Sequence, residues 1–317
     1  MAKRKKRLKV QGRKGAAIQR KTRKTSKSRR GKATKRRVVK ATPKRAAVRK
    51  AASNLIPLPP KRMFFDPDRV DGSHNVQEFI SIGESTTEWF IGWEGLLGEH
   101  RVLDVGCGIG RMARPLTRYI RQPGSYDGIE IALYKVAYCR KTIESRFSNF
   151  KFHHADVFNK YYNPQGRTKA CEYRFPFPDD YFDFVYSISV FTHMLPTDME
   201  HYISEISRVL KPGAKCIASF WLTDVRVGGP YHPYSDVCEI YRVEEPEHGV
   251  IYIEDYVKGV YSKRRLRMSK VTHGSWMHRK DSTEAHKQDI VIATKSGGAA
   301  ARKACDDLHK EAKGQGG

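Results

Sequence analysis

The stretch Val102-Leu103-Asp104-Val105-Gly106-Cys107-Gly108-Ile109-Gly110 joins a short apolar run to three glycines at alternate positions. The pattern is typical of a buried parallel strand that ends in a tight turn and opens a helix. Glycine lets the backbone of such a turn bend sharply and approach a ligand closely. Asp104 falls at the carboxyl end of the strand, where open α/β sheets bind their ligands. Its carboxylate suits a cationic group such as the ammonium of an amino acid.

The spacing of the glycines separates two classes of ligand. A dinucleotide fingerprint is Gly-x-Gly-x-x-Gly, and its third glycine would fall on position 111, which is Arg. The pattern found here, Asp-Val-Gly-x-Gly-x-Gly, resembles motif I of the class I S-adenosylmethionine-dependent methyltransferases. The resemblance implies S-adenosylmethionine as cofactor, bound at Asp104, Gly106, Cys107, Gly108 and Gly110.

Further landmarks follow in the order of the same family. A second strand over residues 126–131 ends near Glu130, 20 residues after Gly110. An acid at this place can accept hydrogen bonds from both ribose hydroxyls, although a solvated strand-end acid is the plain alternative. After a third strand over residues 150–154, the resemblance places Asp156 against the adenine amino group. The remaining cofactor contacts that we assign are Ile131, Val157 and Ser187.

Strands alternate with helices from residue 101 to residue 223, which predicts a doubly wound sheet. The resemblance implies a mostly parallel, seven-stranded, Rossmann-like sheet that ends in an antiparallel pair over residues 268–272 and 289–294. Ser85 is a candidate cap for a helix ahead of the first strand, in the position where the family covers its cofactor. Residues 158–180 and 224–250 are interpreted as irregular insertions, and insertions there commonly hold the acceptor in this family.

Charge divides the chain of 317 residues unevenly. Residues 1–50 contain 24 Lys and Arg and no acid, so they carry nearly all of the formal net charge of +26. We predict a disordered polybasic tail and linker over residues 1–60, a methyltransferase domain over 61–296 and a flexible C-terminal tail over 297–317. The basic tail suits nucleic acid or another polyanion, or a nuclear localisation signal. A solvated appendage without a defined partner is equally compatible.

The six cysteines form no Cys-x-x-Cys pair, so the sequence indicates neither a zinc site nor a disulfide framework. A reducing compartment is the simple interpretation, with a cytoplasmic location expected and a nuclear one as the alternative. No apolar run approaches the ~20 residues of a membrane span. No apolar signal-peptide core follows the first residues. The oligomeric state is left open.

The acceptor is less constrained than the cofactor. Enzymes that methylate exocyclic amines of bases usually carry Asn/Asp-Pro-Pro-aromatic after the fourth strand, where this chain has residues 187–190, Ser-Ile-Ser-Val. We therefore expect a small molecule or sugar whose hydroxyl is methylated, with His193 as candidate base. His193 in a purely structural role is the alternative for that residue. Two other functions stay open: a nucleic-acid- or ribosome-associated methyltransferase directed by the tail, and a non-catalytic cofactor-binding protein.

Overall fold

The computed structural model describes residues 56–64, 75–277, 282 and 286–297. The two predicted tails lie outside these residues, apart from residues 56–60 and Gly297. Ile56, which the sequence places in the linker, is buried at 3% exposure. The Tyr138 hydroxyl donates to the carbonyl of Pro57 at 2.7 Å, so this end of the linker packs on the domain.

The strands and helices are identified here by their bounds. The strands are β1 (Arg101–Val105), β2 (Ser125–Glu130), β3 (Phe150–His154), β4 (Phe182–Ser187), β5 (Leu210–Phe220), β6 (Leu222–Thr223), β7 (His232–Ser235), β8 (Cys238–Ile240), β9 (Val250–Ile253), β10 (Leu266–Thr272) and β11 (Asp289–Lys295). The α-helices are α1 (Val76–Gly92), α2 (Ala113–Leu116), α3 (Leu133–Cys139), α4 (Pro196–Val209) and α5 (Glu254–Lys263). Among the residues described, none of the helices combines the length and apolar composition that a membrane crossing requires.

The main sheet of the described chain has seven strands in the order β10-β11-β5-β4-β1-β2-β3. The pairs among β1 to β5 are parallel, whereas β11 pairs antiparallel with both β5 and β10. The strand order reverses direction between β1 and β4, and ligands bind at such a switch point in open α/β sheets. The predicted doubly wound, mostly parallel Rossmann-like fold is confirmed.

Two separate hydrophobic cores lie on the two faces of this sheet. Successive residues of β1 alternate between them, because side chains of a strand point to opposite faces. Val102 joins the core that contains Phe90 of α1, and Leu103 joins the core that contains Ile203 of α4. The alternation explains why β1 is apolar on both faces after the exposed Arg101, with Asp104 as the exception.

Helix α1 begins earlier than predicted. Its cap is Asn75, whose side chain accepts the backbone N–H of Glu78 at 2.9 Å. Ser85 lies inside the helix, where its hydroxyl donates to the carbonyl of Ile82 at 3.2 Å, so the prediction that Ser85 caps the helix is wrong. A serine inside a helix can bond the preceding turn in this way, and its presence alone does not mark a helix start.

The prediction of an irregular insertion over residues 224–250 is also wrong. Strand β8 pairs antiparallel with both β7 and β9, and β6 pairs parallel with β9. Together they form a sheet in the order β6-β9-β8-β7. These strands are two to four residues long, too short to show an alternating pattern. The small sheet lies between β5 and α5 along the chain and carries residues that reach the functional site.

Candidate functional site

A cavity of about 220 Å³ opens at the carboxyl ends of β1, β2 and β4. Six of the predicted cofactor residues line this cavity together with His193. The six are Gly106, Cys107, Gly108, Glu130, Ile131 and Val157. Parallel strands bring these distant positions to one edge of the sheet, which is the arrangement that the sequence predicts.

The glycine turn is held against β2 by its own backbone. The N–H groups of Gly106 and Cys107 both donate to the carbonyl of Ile129, at 2.8 and 3.0 Å. Gly106 has φ +83°, and a Cβ at that position would lie 2.3 Å from Cγ2 of Val190. Glycine is therefore required at 106 both by the left-handed backbone and by the close approach of the segment that follows β4.

Glu130 connects the glycine turn to the cavity. Its Oε2 accepts the N–H of Gly108 at 2.8 Å, and its Oε1 accepts the N–H of Ala132 at 2.9 Å. The ammonium of Lys135 lies 3.9 Å from Oε1 and is itself nearly buried. Each carboxylate oxygen can accept more than one hydrogen bond, so these backbone contacts leave acceptor capacity towards the cavity.

Asp104 is fully buried behind the cavity wall rather than on it. Its Oδ2 accepts the hydroxyls of Tyr126 and Tyr186 at 2.7 and 2.9 Å, and its Oδ1 has no hydrogen-bond partner among the described residues. Burial raises the pKa of this carboxyl to about 7, against the lowering effect of the two tyrosines. The prediction that Asp104 faces an ammonium group in the site does not match this position, because the carboxyl lies behind the cavity wall.

Three other predicted cofactor residues also lie off the cavity wall. Asp156 forms an ion pair with Arg167 at 2.6 Å on the surface, where that hydrogen bond lowers the pKa of its carboxyl. Ser187 is fully buried and donates to the carbonyl of Val105 at 3.2 Å. Gly110 packs under the turn against Ile143 and Cys139. Directly after Asp156, the residues Val157, Phe158 and Asn159 do line the cavity.

His193 reaches the cavity from the 3₁₀ turn Phe191–His193. Its Nδ1 lies 3.1 Å from the backbone carbonyl of Glu247, which follows β8 along the chain. A carbonyl only accepts hydrogen bonds, so Nδ1 carries the proton in the neutral ring and Nε2 is the basic nitrogen. The ring of Tyr162 stands edge-on to the imidazole, with centroids 5.7 Å apart.

Two further carboxyl groups line the cavity and were not singled out from the sequence. Asp198 lies in the first turn of α4, and Glu247 lies in the 3₁₀ turn Pro246–His248. Burial raises the pKa of both, and the nearby Asp198 raises that of Glu247 further. Among the described residues neither carboxylate has a Lys, Arg or His within ion-pair distance. Glu247 Oε2 instead accepts the amide of Asn159 at 2.8 Å.

Helix α1, which the resemblance places over the cofactor, contributes to the cavity wall, and the wall also includes a basic residue that sequence reasoning missed. Phe64 packs edge-on against Phe79 of α1 at 5.6 Å, and both rings line the cavity. Arg111, the residue directly after the glycine turn, lines it as well. In the sequence, Arg111 is distinguished by occupying the place of the third glycine of a dinucleotide fingerprint, which excludes that fingerprint. No group of three or more His, Cys, Asp or Glu within the described ranges is arranged to hold a metal ion.

Comparison with known proteins follows this geometry. A family model described as "Methyltransferase domain" matches residues 103–218, which run from β1 to β5. A sterol 24-C-methyltransferase of Gibberella zeae is 34% identical over 131 residues, which are 39% of this chain and 29% of that protein. A tRNA N(3)-cytidine methyltransferase of Gallus gallus is 28% identical over 121 residues, 38% of this chain and 30% of that protein.

The chain spans about three tenths of the length of these relatives. A solved structure, the PH0226 protein of Pyrococcus horikoshii, covers 70% of this chain and 93% of its own at 18% identity and a TM-score of 0.48. The matched residues 103–218 contain the glycine turn, Glu130 and the loop after β4, in the order of the family. Residues 103–218 therefore match a methyltransferase domain, and the seven-stranded sheet that they help to build has the Rossmann-like arrangement.

Proposed function

We propose that the chain is an S-adenosylmethionine-dependent methyltransferase that methylates a hydroxyl group of a small molecule or sugar. The observation that carries the proposal is one cavity whose wall includes Glu130, the glycine turn and His193. A cofactor held by Glu130 and the glycine turn would lie in the same cavity as the imidazole of His193. Neighbouring placement of donor and base is what a transfer enzyme requires.

The residues present fit the cofactor in the parts that the cavity exposes. The carboxylate of Glu130 suits ribose hydroxyls, since it keeps acceptor capacity beyond its two backbone donors. Ile131 and Val157 offer apolar surface for a flat base, and Arg111 supplies positive charge for a carboxylate end. When bound, S-adenosylmethionine supplies a methyl group that its positively charged sulfur activates for displacement in line.

His193 is proposed as the general base of this reaction. The carbonyl of Glu247 fixes the proton on Nδ1, so Nε2 is the nitrogen that accepts the proton of the acceptor hydroxyl. The bound cofactor would supply the methyl group to the acceptor oxygen, and Nε2 of His193 would take the proton that this oxygen loses. General base catalysis of this kind contributes about a hundred- to ten-thousandfold in rate.

Two carboxyl groups in the cavity wall favour a small molecule over a nucleic acid strand. Asp198 and Glu247 line the cavity, and in their ionised form they repel phosphate groups. Carboxylates accept hydrogen bonds from hydroxyl and amino donors, which sugars supply in number. The second candidate, a nucleic-acid-associated methyltransferase, is favoured by the 24 basic residues of the first 50.

A methyl-transfer screen tests the proposal. Full-length protein is incubated with S-adenosylmethionine labelled in its methyl group and a cell extract, which is then separated into RNA, protein and small molecules. We expect label in the small-molecule fraction. Label in RNA would select the second candidate, and cofactor binding without any transfer would select a non-catalytic binding protein.

A His193 series separates catalysis from structure once an acceptor is identified. His193→Ala and His193→Gln should both lower turnover at least about a hundredfold and leave cofactor affinity nearly unchanged. The glutamine amide can still donate to the Glu247 carbonyl but cannot take a proton. His201→Ala is the matched control, because His201 lies on α4 and bonds the carbonyl of Tyr173 outside the cavity. Full turnover in His193→Gln would make His193 structural.

A further inference from the structure

Ser189 adopts a backbone conformation that a residue with a Cβ rarely takes. It lies two residues after Ser187, the last residue of β4, and has φ +59°, in the left-handed region. This conformation is unfavourable for serine and persists only when its surroundings hold it. Ser189 and both of its neighbours, Ile188 and Val190, line the cavity. The strained residue therefore lies in the middle of one wall of the functional site.

Ser219 of β5 and Gln288, which directly precedes β11, accept hydrogen bonds from the two donor groups of Ser189. Its N–H donates to Oγ of Ser219 at 2.7 Å, and its own hydroxyl donates to Oε1 of Gln288 at 3.0 Å. The hydroxyl of Ser219 donates to the same Oε1 at 2.6 Å, which closes a ring of hydrogen bonds. Ser219 is 1% exposed and Gln288 7% exposed, so these bonds are shielded from water.

The position of the wall depends on this ring. Val190 comes directly after Ser189 and approaches Gly106 so closely that a Cβ there would lie 2.3 Å from its Cγ2. The backbone direction at Ser189 decides whether Val190 meets the glycine turn. His193 follows three residues later on the adjoining 3₁₀ turn. If Ser189 took an ordinary backbone conformation, the wall that faces the cofactor would shift. The candidate base His193 would shift with it.

We propose that Gln288 is a positioning residue, which acts through Ser189 to hold the Ile188–Val190 wall against the glycine turn for cofactor binding. The inference rests on the proposed function in taking S-adenosylmethionine as the ligand. Gln288 itself does not line the cavity, and the strand that follows it is already joined to β5 by a backbone ladder that includes Ile290 and Ser219. The sheet does not need the amide of Gln288 for its own pairing, whereas the conformation of Ser189 does.

Cofactor binding provides a test that needs no acceptor. We would measure the affinity of the full chain for S-adenosylmethionine by calorimetry and the thermal midpoint in parallel. Gln288→Ala should weaken binding about tenfold or more, because the hydroxyls of Ser189 and Ser219 lose their shared acceptor. Ser189→Ala, which removes one bond of the ring, is the milder second variant. Thr294→Ala is the control, since Thr294 lies at the far end of β11 and does not line the cavity.

Ser189→Gly distinguishes positioning from a merely structural role. Glycine adopts φ +59° without support, so Gln288→Ala should cost little cofactor affinity in the Ser189→Gly background. An equal loss in both backgrounds would overturn the inference, as would a lower thermal midpoint with unchanged affinity. Wild-type protein that does not bind S-adenosylmethionine overturns the proposed function and this inference together. Wild-type binding that Gln288→Ala leaves unchanged overturns this inference alone.

Discussion

Glu130 fixes the glycine turn and faces the cavity with the same carboxylate. Hydrogen bonds to a charged group typically contribute ~1.5–3 kcal/mol, so Glu130→Ala should weaken S-adenosylmethionine binding about ten- to a hundredfold. Calorimetry on the folded variant checks this. Glu172→Gln is the control, because Glu172 is an exposed carboxylate that pairs with Lys169 outside the cavity. Unchanged affinity in Glu130→Ala would remove Glu130 from the cofactor site.

Asp104 should make the stability of the domain depend on pH. Burial raises its pKa from 3.8 to about 7, so the folded chain holds this proton more tightly than the unfolded chain does. The contribution to stability is fully present below about pH 4 and is lost as the pH rises through 7. Asp104→Asn keeps an acceptor for the two tyrosine hydroxyls and should flatten this decline, which denaturant unfolding at a series of pH values measures. The same decline in both proteins would contradict the assignment to Asp104.

The residues that sequence could predict are those whose role follows from chain spacing. Gly106, Gly108 and Glu130 belong to a strand–turn–helix–strand unit, and spacing along it fixes their place in the fold. Asp198 and Glu247 both line the cavity because α4 and the turn after β8 border it. No local sequence pattern indicates that these two distant residues share one cavity. Asp104 was predicted at the correct strand end, but the tyrosines that bury it come from two other strands.

At the scale of elements, the turn after β1 and the loop after β4 depend on each other. Gly106→Ala introduces a Cβ both at φ +83° and against Val190, whereas Gly108→Ala meets open space at φ +56°. The left-handed backbone alone costs an alanine roughly 1–2 kcal/mol. Gly106→Ala should therefore lower the free energy of unfolding by more than Gly108→Ala does. Equal losses of unfolding free energy, measured by denaturant unfolding, would show that the loop after β4 moves away from the new Cβ without a loss of stability.

Element predictions succeeded where strands were long and apolar and failed where they were short. The strands of the parallel sheet are five residues or longer and alternate with periodic helices, so the sequence predicts their order along the chain. Strands β7 and β8 have four and three residues, with Pro233 in the first. Such segments are stabilised by pairing with neighbours rather than by their own sequence. The insertion that carries Glu247 was therefore predicted as irregular.

At the scale of the whole molecule, the chain separates its charges. Residues 51–317 contain 36 basic and 34 acidic residues and are nearly neutral, while residues 1–50 carry +24. Asp198 and Glu247 place two carboxyl groups in the wall of the cavity. Cofactor binding and polyanion binding should therefore reside in different parts of the chain and be separable by truncation.

A truncated chain that begins at Ser53 should fold and bind S-adenosylmethionine as tightly as the full chain, because the described cavity uses no residue before Met63. The full chain should in addition bind RNA or DNA without sequence preference. Its affinity should fall as salt rises, with each phosphate contact adding ~0.7–0.9 to the slope of log affinity against log salt concentration. Calorimetry of the cofactor and a salt series of nucleic acid titrations on both proteins measure the two effects. Equal nucleic acid binding by the two proteins at low salt would assign that binding to the domain and leave the basic residues without this role.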